Sequence, residues 1–81
     1  MEVNLLAFGI AKDIIGGEKI KLYIKDENPS VLTLKKTLVE KYPAFEALAS
    51  FAIAVNENYA TDELSIAPSD EIVIIPPVSG G

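Results

Sequence analysis

Polar and apolar residues alternate most regularly between Lys19 and Lys25. Ile20, Leu22 and Ile24 share one parity there, and Lys19, Lys21, Tyr23 and Lys25 the other. A period of two predicts a strand with one buried face, and outward lysines suit a sheet edge, where they discourage pairing with other chains. The lysine row reads first as a solvated face. From Val31 the period changes: Val31, Leu34, Leu38 and Tyr42 recur at helical spacing, with Lys35, Lys36, Glu40 and Lys41 between them. Ser30 supplies an N-cap and Pro43 a stop, so an amphipathic helix is expected over this stretch. Its stripe Val31, Leu34, Leu38 is expected to pack on the sheet face bearing Ile20, Leu22 and Ile24. One helix with one apolar stripe needs a sheet to lie on.

Around this pair the remaining elements fall into order. Val3 to Phe8 reads as a strand, Ile10 to Ile15 as a short helical turn ended by Gly16 and Gly17, and Phe45 to Leu48 as a second short turn. Phe51 to Val55 is a strand, Asn56-Glu57-Asn58 a tight turn that tolerates positive φ, and Tyr59-Ala60 a short return. Thr61 to Ser69 reads mainly as loop, with Leu64 and Ile66 tucked inward, and Pro68-Ser69-Asp70 turns into a last apolar strand, Glu71 to Ile75. Two N-terminal strands joined antiparallel, one main helix across the sheet and a last strand alongside the first make an α+β fold of the β-grasp kind. Its mixed sheet has four to five strands. The first and last strands then sit centrally, in keeping with Leu5-Leu6 and Ile72-Val73-Ile74-Ile75, which are apolar on both faces. The globular domain is expected over residues 1–75 and an extended tail over 76–81.

Composition narrows what such a domain does. Its 81 residues make one domain with a modest core, burying on folding about 60–65% of the surface of the unfolded chain. Seven lysines, no arginine and twelve carboxylates give a net charge of −5, which speaks against nucleic-acid binding. No apolar run approaches the ~20 residues of a membrane span, and Met1-Glu2-Val3-Asn4 lacks the basic start of a signal peptide; a cytoplasmic protein is expected. There is no cysteine and no histidine. Disulfides, thiolate nucleophiles and the commonest general base and metal ligand are therefore missing, so neither a self-sufficient enzyme nor a metal site is expected.

Candidate chemistry concentrates in Pro76-Pro77-Val78-Ser79-Gly80-Gly81. Two prolines keep the tail from continuing as a paired strand. Ser79, Gly80 and Gly81 carry almost no side chain and let the backbone thread a narrow slot. Six extended residues reach about 20 Å, enough to enter a partner's pocket while the domain stays outside. A carboxylate after two glycines is a sterically open acyl group, although an unactivated carboxylate is a poor acyl donor. By itself such an end is also what a frayed terminus looks like.

With that tail attached to that order of elements, the chain resembles the ubiquitin-like sulfur carriers, MoaD/ThiS proteins, and within them the small subunits of molybdopterin synthase. The most specific stretch is Asp70-Glu71-Ile72-Val73-Ile74-Ile75-Pro76-Pro77-Val78-Ser79-Gly80-Gly81, supported by Leu5-Leu6-Ala7-Phe8-Gly9, Lys41-Tyr42-Pro43 and Ala54-Val55-Asn56. Ser69 stands where the family usually has glycine. The resemblance implies a non-catalytic carrier subunit of a sulfurtransferase. An E1-like partner would use ATP to adenylate the Gly81 carboxylate, and sulfur transfer would convert it to a thiocarboxylate. The tail, Pro76 to Gly80 filling the slot, would then enter the large subunit of molybdopterin synthase. There sulfur passes to a cyclic pyranopterin precursor in molybdenum cofactor biosynthesis. A hetero-oligomer, in this family a heterotetramer, is implied, with no cofactor bound by the chain itself. A sulfur carrier of the thiazole pathway, a protein modifier joined to lysines through Gly81, and a plain interaction domain remain alternatives. Because a single helix covers only one sheet face, Leu6, Phe8, Val73 and Ile75 are expected to form a partner-facing apolar patch on the other.

Overall fold

The computed structural model describes residues 1–48 and 51–76; the last five residues, Pro77 to Gly81, lie outside them. The elements run β1 (Glu2–Ala7), α1 (Gly9–Ile15), β2 (Lys19–Tyr23), α2 (Val31–Lys41), a 3₁₀ turn (Pro43–Ala47), β3 (Ala52–Val55), β4 (Asn58–Tyr59) and β5 (Ile72–Ile75). They build one five-stranded sheet in the order β2-β1-β5-β3-β4. β1 pairs antiparallel with β2 and parallel with β5, and β5 pairs antiparallel with β3. The first and last strands are thus both interior, and β2 is an edge, as the lysine row predicts.

Alternation decides which side chains meet. Val3, Leu5 and Ala7 of β1, Leu22 of β2, Ile53 and Val55 of β3 and Ile72 and Ile74 of β5 point to one face. Onto that face α2 sets Val31, Leu34 and Leu38, each fully buried. The expected helix stripe lies in the core with Leu22 and Ile24, and Ile20 is partly buried against it. The first and last turns of α2 show how the sequence fixes its ends. Ser30 Oγ accepts the Thr33 N–H at 3.4 Å. Two further free N–H groups of the first turn, those of Val31 and Leu32, donate to the carbonyls of Leu64 and Asp62 at 2.9 and 3.0 Å. At the other end Tyr42 N–H donates to Leu38 O at 2.8 Å, and Pro43 opens the 3₁₀ turn that buries Phe45 between Tyr42 and Phe51.

Several expectations shift in detail. Leu64 does not tuck inward: its side chain is 42% exposed while its carbonyl accepts the Val31 N–H at the start of α2, and Ile66 is buried as expected. β1 ends at Ala7, and Phe8 becomes the N-cap residue of α1 because Gly9, at φ +56°, turns the chain out of the strand. β2 stops at Tyr23, two residues short of Lys25, β4 pairs Asn58 and Tyr59 instead of Tyr59 and Ala60, and β5 begins at Ile72. The Asn56-Glu57 turn does adopt positive φ at both residues, 51° and 73°. Serine at position 69 is accommodated without positive φ, in a turn closed by Asp70 N–H donating to Ala67 O at 3.0 Å.

Candidate functional site

The tail leaves the sheet from its middle strand. β5 is held on both sides: Leu5, Leu6 and Ala7 stand opposite Ile72, Val73 and Ile74 on β1, and Ala52 to Val55 pair with Ile75 to Ile72 on β3. Ile72 and Ile74 are fully buried. A terminal strand anchored this way cannot slide by a residue without exchanging its buried and exposed sets, so the point where Pro76 exits is fixed. Pro76 itself is half-buried against the β1–α1 junction, where a Cβ on Gly9 would lie 3.7 Å from the proline Cγ.

The other end of β5 is fixed by a clamp that the sequence does not reveal. Asp70 accepts the Ala67 N–H through Oδ2 at 2.8 Å and the Asn56 amide through Oδ1 at 3.0 Å. Asn56 Oδ1 accepts the Glu71 N–H at 2.9 Å, and Asn56 N–H donates to Glu71 O at 2.8 Å. Asn56 lies in the β3–β4 turn, fourteen residues from Asp70. It ties the start of β5 to its antiparallel neighbour and sets the register from which the tail is measured out. Asparagine in a positive-φ turn and aspartate after Pro-Ser are visible signals of two turns; nothing in the spacing says that they bond to each other.

The four residues expected to form an apolar patch are split by the structure. Leu6, Val73 and Ile75 lie half-buried on the sheet face opposite α2. Leu6 stands beside Val73, Val73 beside Ala54, and Ile75 beside Ala52. Lys19 and Tyr59 flank this strip at either side of the sheet. Phe8 is not on the strand but past its end, 56% exposed, and it is joined there by Ile10, 49% exposed, which the sequence pattern did not single out. Both stand at the end of the sheet from which Pro76 leaves. The strip Leu6, Val73, Ile75 thus runs along the outer face, while Phe8 and Ile10 are exposed beyond the end of β1. The tail residues Pro77, Val78, Ser79, Gly80 and Gly81 lie outside the described residues. Among those described, no group of three or more histidine, cysteine, aspartate or glutamate side chains is placed to hold a metal ion. No helix among them is long and apolar enough to cross a membrane.

The sequence matches the ThiS family over residues 5–81, that is, through the terminal glycine. The chain belongs to that family. Among its relatives is the molybdopterin synthase sulfur carrier subunit of Arabidopsis thaliana, 36% identical over 85 residues that take in 100% of this chain and 84% of that one. The SAMP1 crystal structure from Haloferax volcanii superposes with a TM-score of 0.81 over 100% of both chains at 22% identity, which establishes the β-grasp fold. A complex of subunits 1 and 2 of the molybdopterin-converting factor of Helicobacter pylori contains a chain 28% identical to this member of the ThiS family. It superposes with a TM-score of 0.65 over 100% of both chains.

Proposed function

We propose that this chain is the sulfur carrier subunit of a molybdopterin synthase and that Gly81 is the group that carries the sulfur. The observation that carries the reading is the extent of the likeness: a relative named for this role aligns with the whole chain, tail included. The domain has no cysteine on which a persulfide could be held, so sulfur has one place to sit, the C-terminal acyl group. An adenylating partner joins a Gly81 carboxylate oxygen to the α-phosphorus of ATP and releases pyrophosphate. Hydrosulfide from a donor then attacks the acyl carbon, AMP leaves, and a thiocarboxylate remains. The catalytic groups belong to the partners; this chain supplies reach, slenderness and a fixed point of departure. The large synthase subunit receives the tail, and the strip Leu6, Val73, Ile75 with Phe8 beside it is the surface against which that subunit seats.

The two interior pairings of β5 support this division of labour, because they make the domain a rigid handle behind a thin tail. The test is mass spectrometry of the intact chain after incubation with an adenylating enzyme of this class, ATP and a sulfur donor. Exchange of one Gly81 oxygen for sulfur is the expected result. An unmodified chain, under conditions that charge an established carrier, overturns the reading. Recovery of Gly81 in an isopeptide bond to lysine would instead mark a protein modifier.

A further inference from the structure

The lysines are distributed unevenly, and their distribution has no part in the carrier chemistry. Two of the seven are paired: Lys12 with Glu18 at 3.2 Å, and Lys35 with Asp62 at 2.8 Å. The other five, Lys19, Lys21, Lys25, Lys36 and Lys41, have no ion-pair partner among the described residues, and all lie on or beside β2 and α2. Between that strand and that helix runs an open groove of about 670 Å³, whose lining includes Lys25, Lys36 and Lys41 against the carboxylates of Asp26 and Glu40. In a chain of net charge −5, the lining with its three lysines and two carboxylates is a place where positive charge is in excess.

The backbone along the same groove is unpaired. Ile24 N–H donates to Met1 O at 2.7 Å and Ala7 N–H to Glu18 O at 2.9 Å. With the register Val3 to Leu22 and Leu5 to Ile20, the even-numbered residues of β2 spend their peptide groups on β1. Lys21 and Tyr23 hold the alternate positions of the antiparallel ladder, so their N–H and C=O groups point out from the free edge. Tyr23 is also 64% exposed there. Lysines on an edge strand discourage self-association, and that accounts for Lys19, Lys21 and Lys25. It does not account for Lys36 and Lys41 on the helix across the groove.

We propose that this groove receives an extended acidic segment of a partner protein, added to β2 as a sixth strand. Backbone groups of Lys21 and Tyr23 provide the pairing. Alternate side chains of the incoming segment point either into the groove, toward Lys25, Lys36 and Lys41, or onto the outer sheet face, toward Lys19 and Lys21. The five residues of β2 span about 17 Å, which sets the length of the docked segment. Main-chain bonds provide affinity in such strand addition, and the side-chain environment on each face selects the sequence. The site lies at the β2 edge, two strands away from β5.

The test uses the full chain and a capped ten-residue peptide of alternating glutamate and valine, followed by amide hydrogen exchange in NMR spectra. Slowed exchange at Lys21 and Tyr23 is expected, because strand pairing protects those two edge-facing amides. The double variant Lys36→Glu, Lys41→Glu is expected to bind the peptide about tenfold or more weaker. Both side chains are exposed, so the fold is retained; Lys36→Gln with Lys41→Gln checks this with an intermediate loss. A lysine-valine peptide is expected not to bind. Unchanged exchange at Lys21 and Tyr23 overturns the proposal, as does undiminished binding by the double variant. Equal binding of linear polyphosphate, which offers no backbone to pair, would reduce the site to a general anion patch and overturn it as well. None of these outcomes bears on the chemistry of Gly81.

Discussion

Leu38→Ala tests the packing on which the whole domain depends. Leu38 lies on the buried stripe of α2 with Val31 and Leu34, fully excluded from solvent and inside the core cluster that takes in Leu22 and Ile24 of the facing sheet. Truncation removes three carbons. At about 0.8 kcal/mol per buried methylene the transfer term alone is about 2.4 kcal/mol. The cavity left behind raises the total toward the 2–5 kcal/mol seen for buried leucines, and we take about 3 kcal/mol as the central value. A chain of this size is stable by about 4–12 kcal/mol in all, so such a loss is a large share. At about 4–8 °C per kcal/mol it lowers Tm by roughly 12–24 °C. Leu32→Ala is the internal control. It sits on the same helix, six residues earlier, but is 42% exposed, and its truncation is expected to cost less than about 1 kcal/mol. Urea unfolding followed by circular dichroism gives both values with the slope m as a check on compactness. Equal losses for the two leucines would refute the assignment of the helix face, and with it the core described above.

Further expectations follow from other parts of the molecule. Deleting Gly81 is expected to leave Tm within a degree or so of the parent, since a glycine has no side chain to bury, and to abolish charging in the mass-spectrometric assay. Phe8→Glu places a charge on an exposed side chain, so stability should stay within about 0.5 kcal/mol while capture by the large synthase subunit is lost; unchanged capture would move the interface elsewhere. Glu57→Gly relieves a left-handed residue at φ 73° and should raise stability by about 0.5–1 kcal/mol in thermal unfolding, the relief exceeding the added chain entropy. Asp70→Ala strips the clamp of both its carboxylate bonds and should cost about 1 kcal/mol, with faster amide exchange at Glu71 as the local signature.

What the sequence settles by itself are the features governed by short-range periodicity. Alternation from Lys19 defines a half-buried strand, though not its end at Tyr23, the spacing of Val31, Leu34 and Leu38 a helix face, and the glycines and prolines the breaks between elements. These are legible because side-chain direction repeats every two residues in a strand and every 3.6 in a helix, whatever lies beyond. Long-range pairing is a different matter. That the carbonyls of Asp62 and Leu64 complete the start of α2 depends on a loop about thirty residues downstream folding back. The union of Asn56 with Asp70 and Glu71 joins two turns that each read as ordinary. Phe8 leaves the strand because Gly9 takes positive φ, a choice the residue permits but does not require. Likewise Lys25 after β2 and Lys36 and Lys41 of α2 are ordinary solvated residues along the chain, and only the packing of that helix beside an open sheet edge sets the three along one groove. Local order is written in spacing; contacts between distant segments arise only when burial of a common core brings them within hydrogen-bond reach.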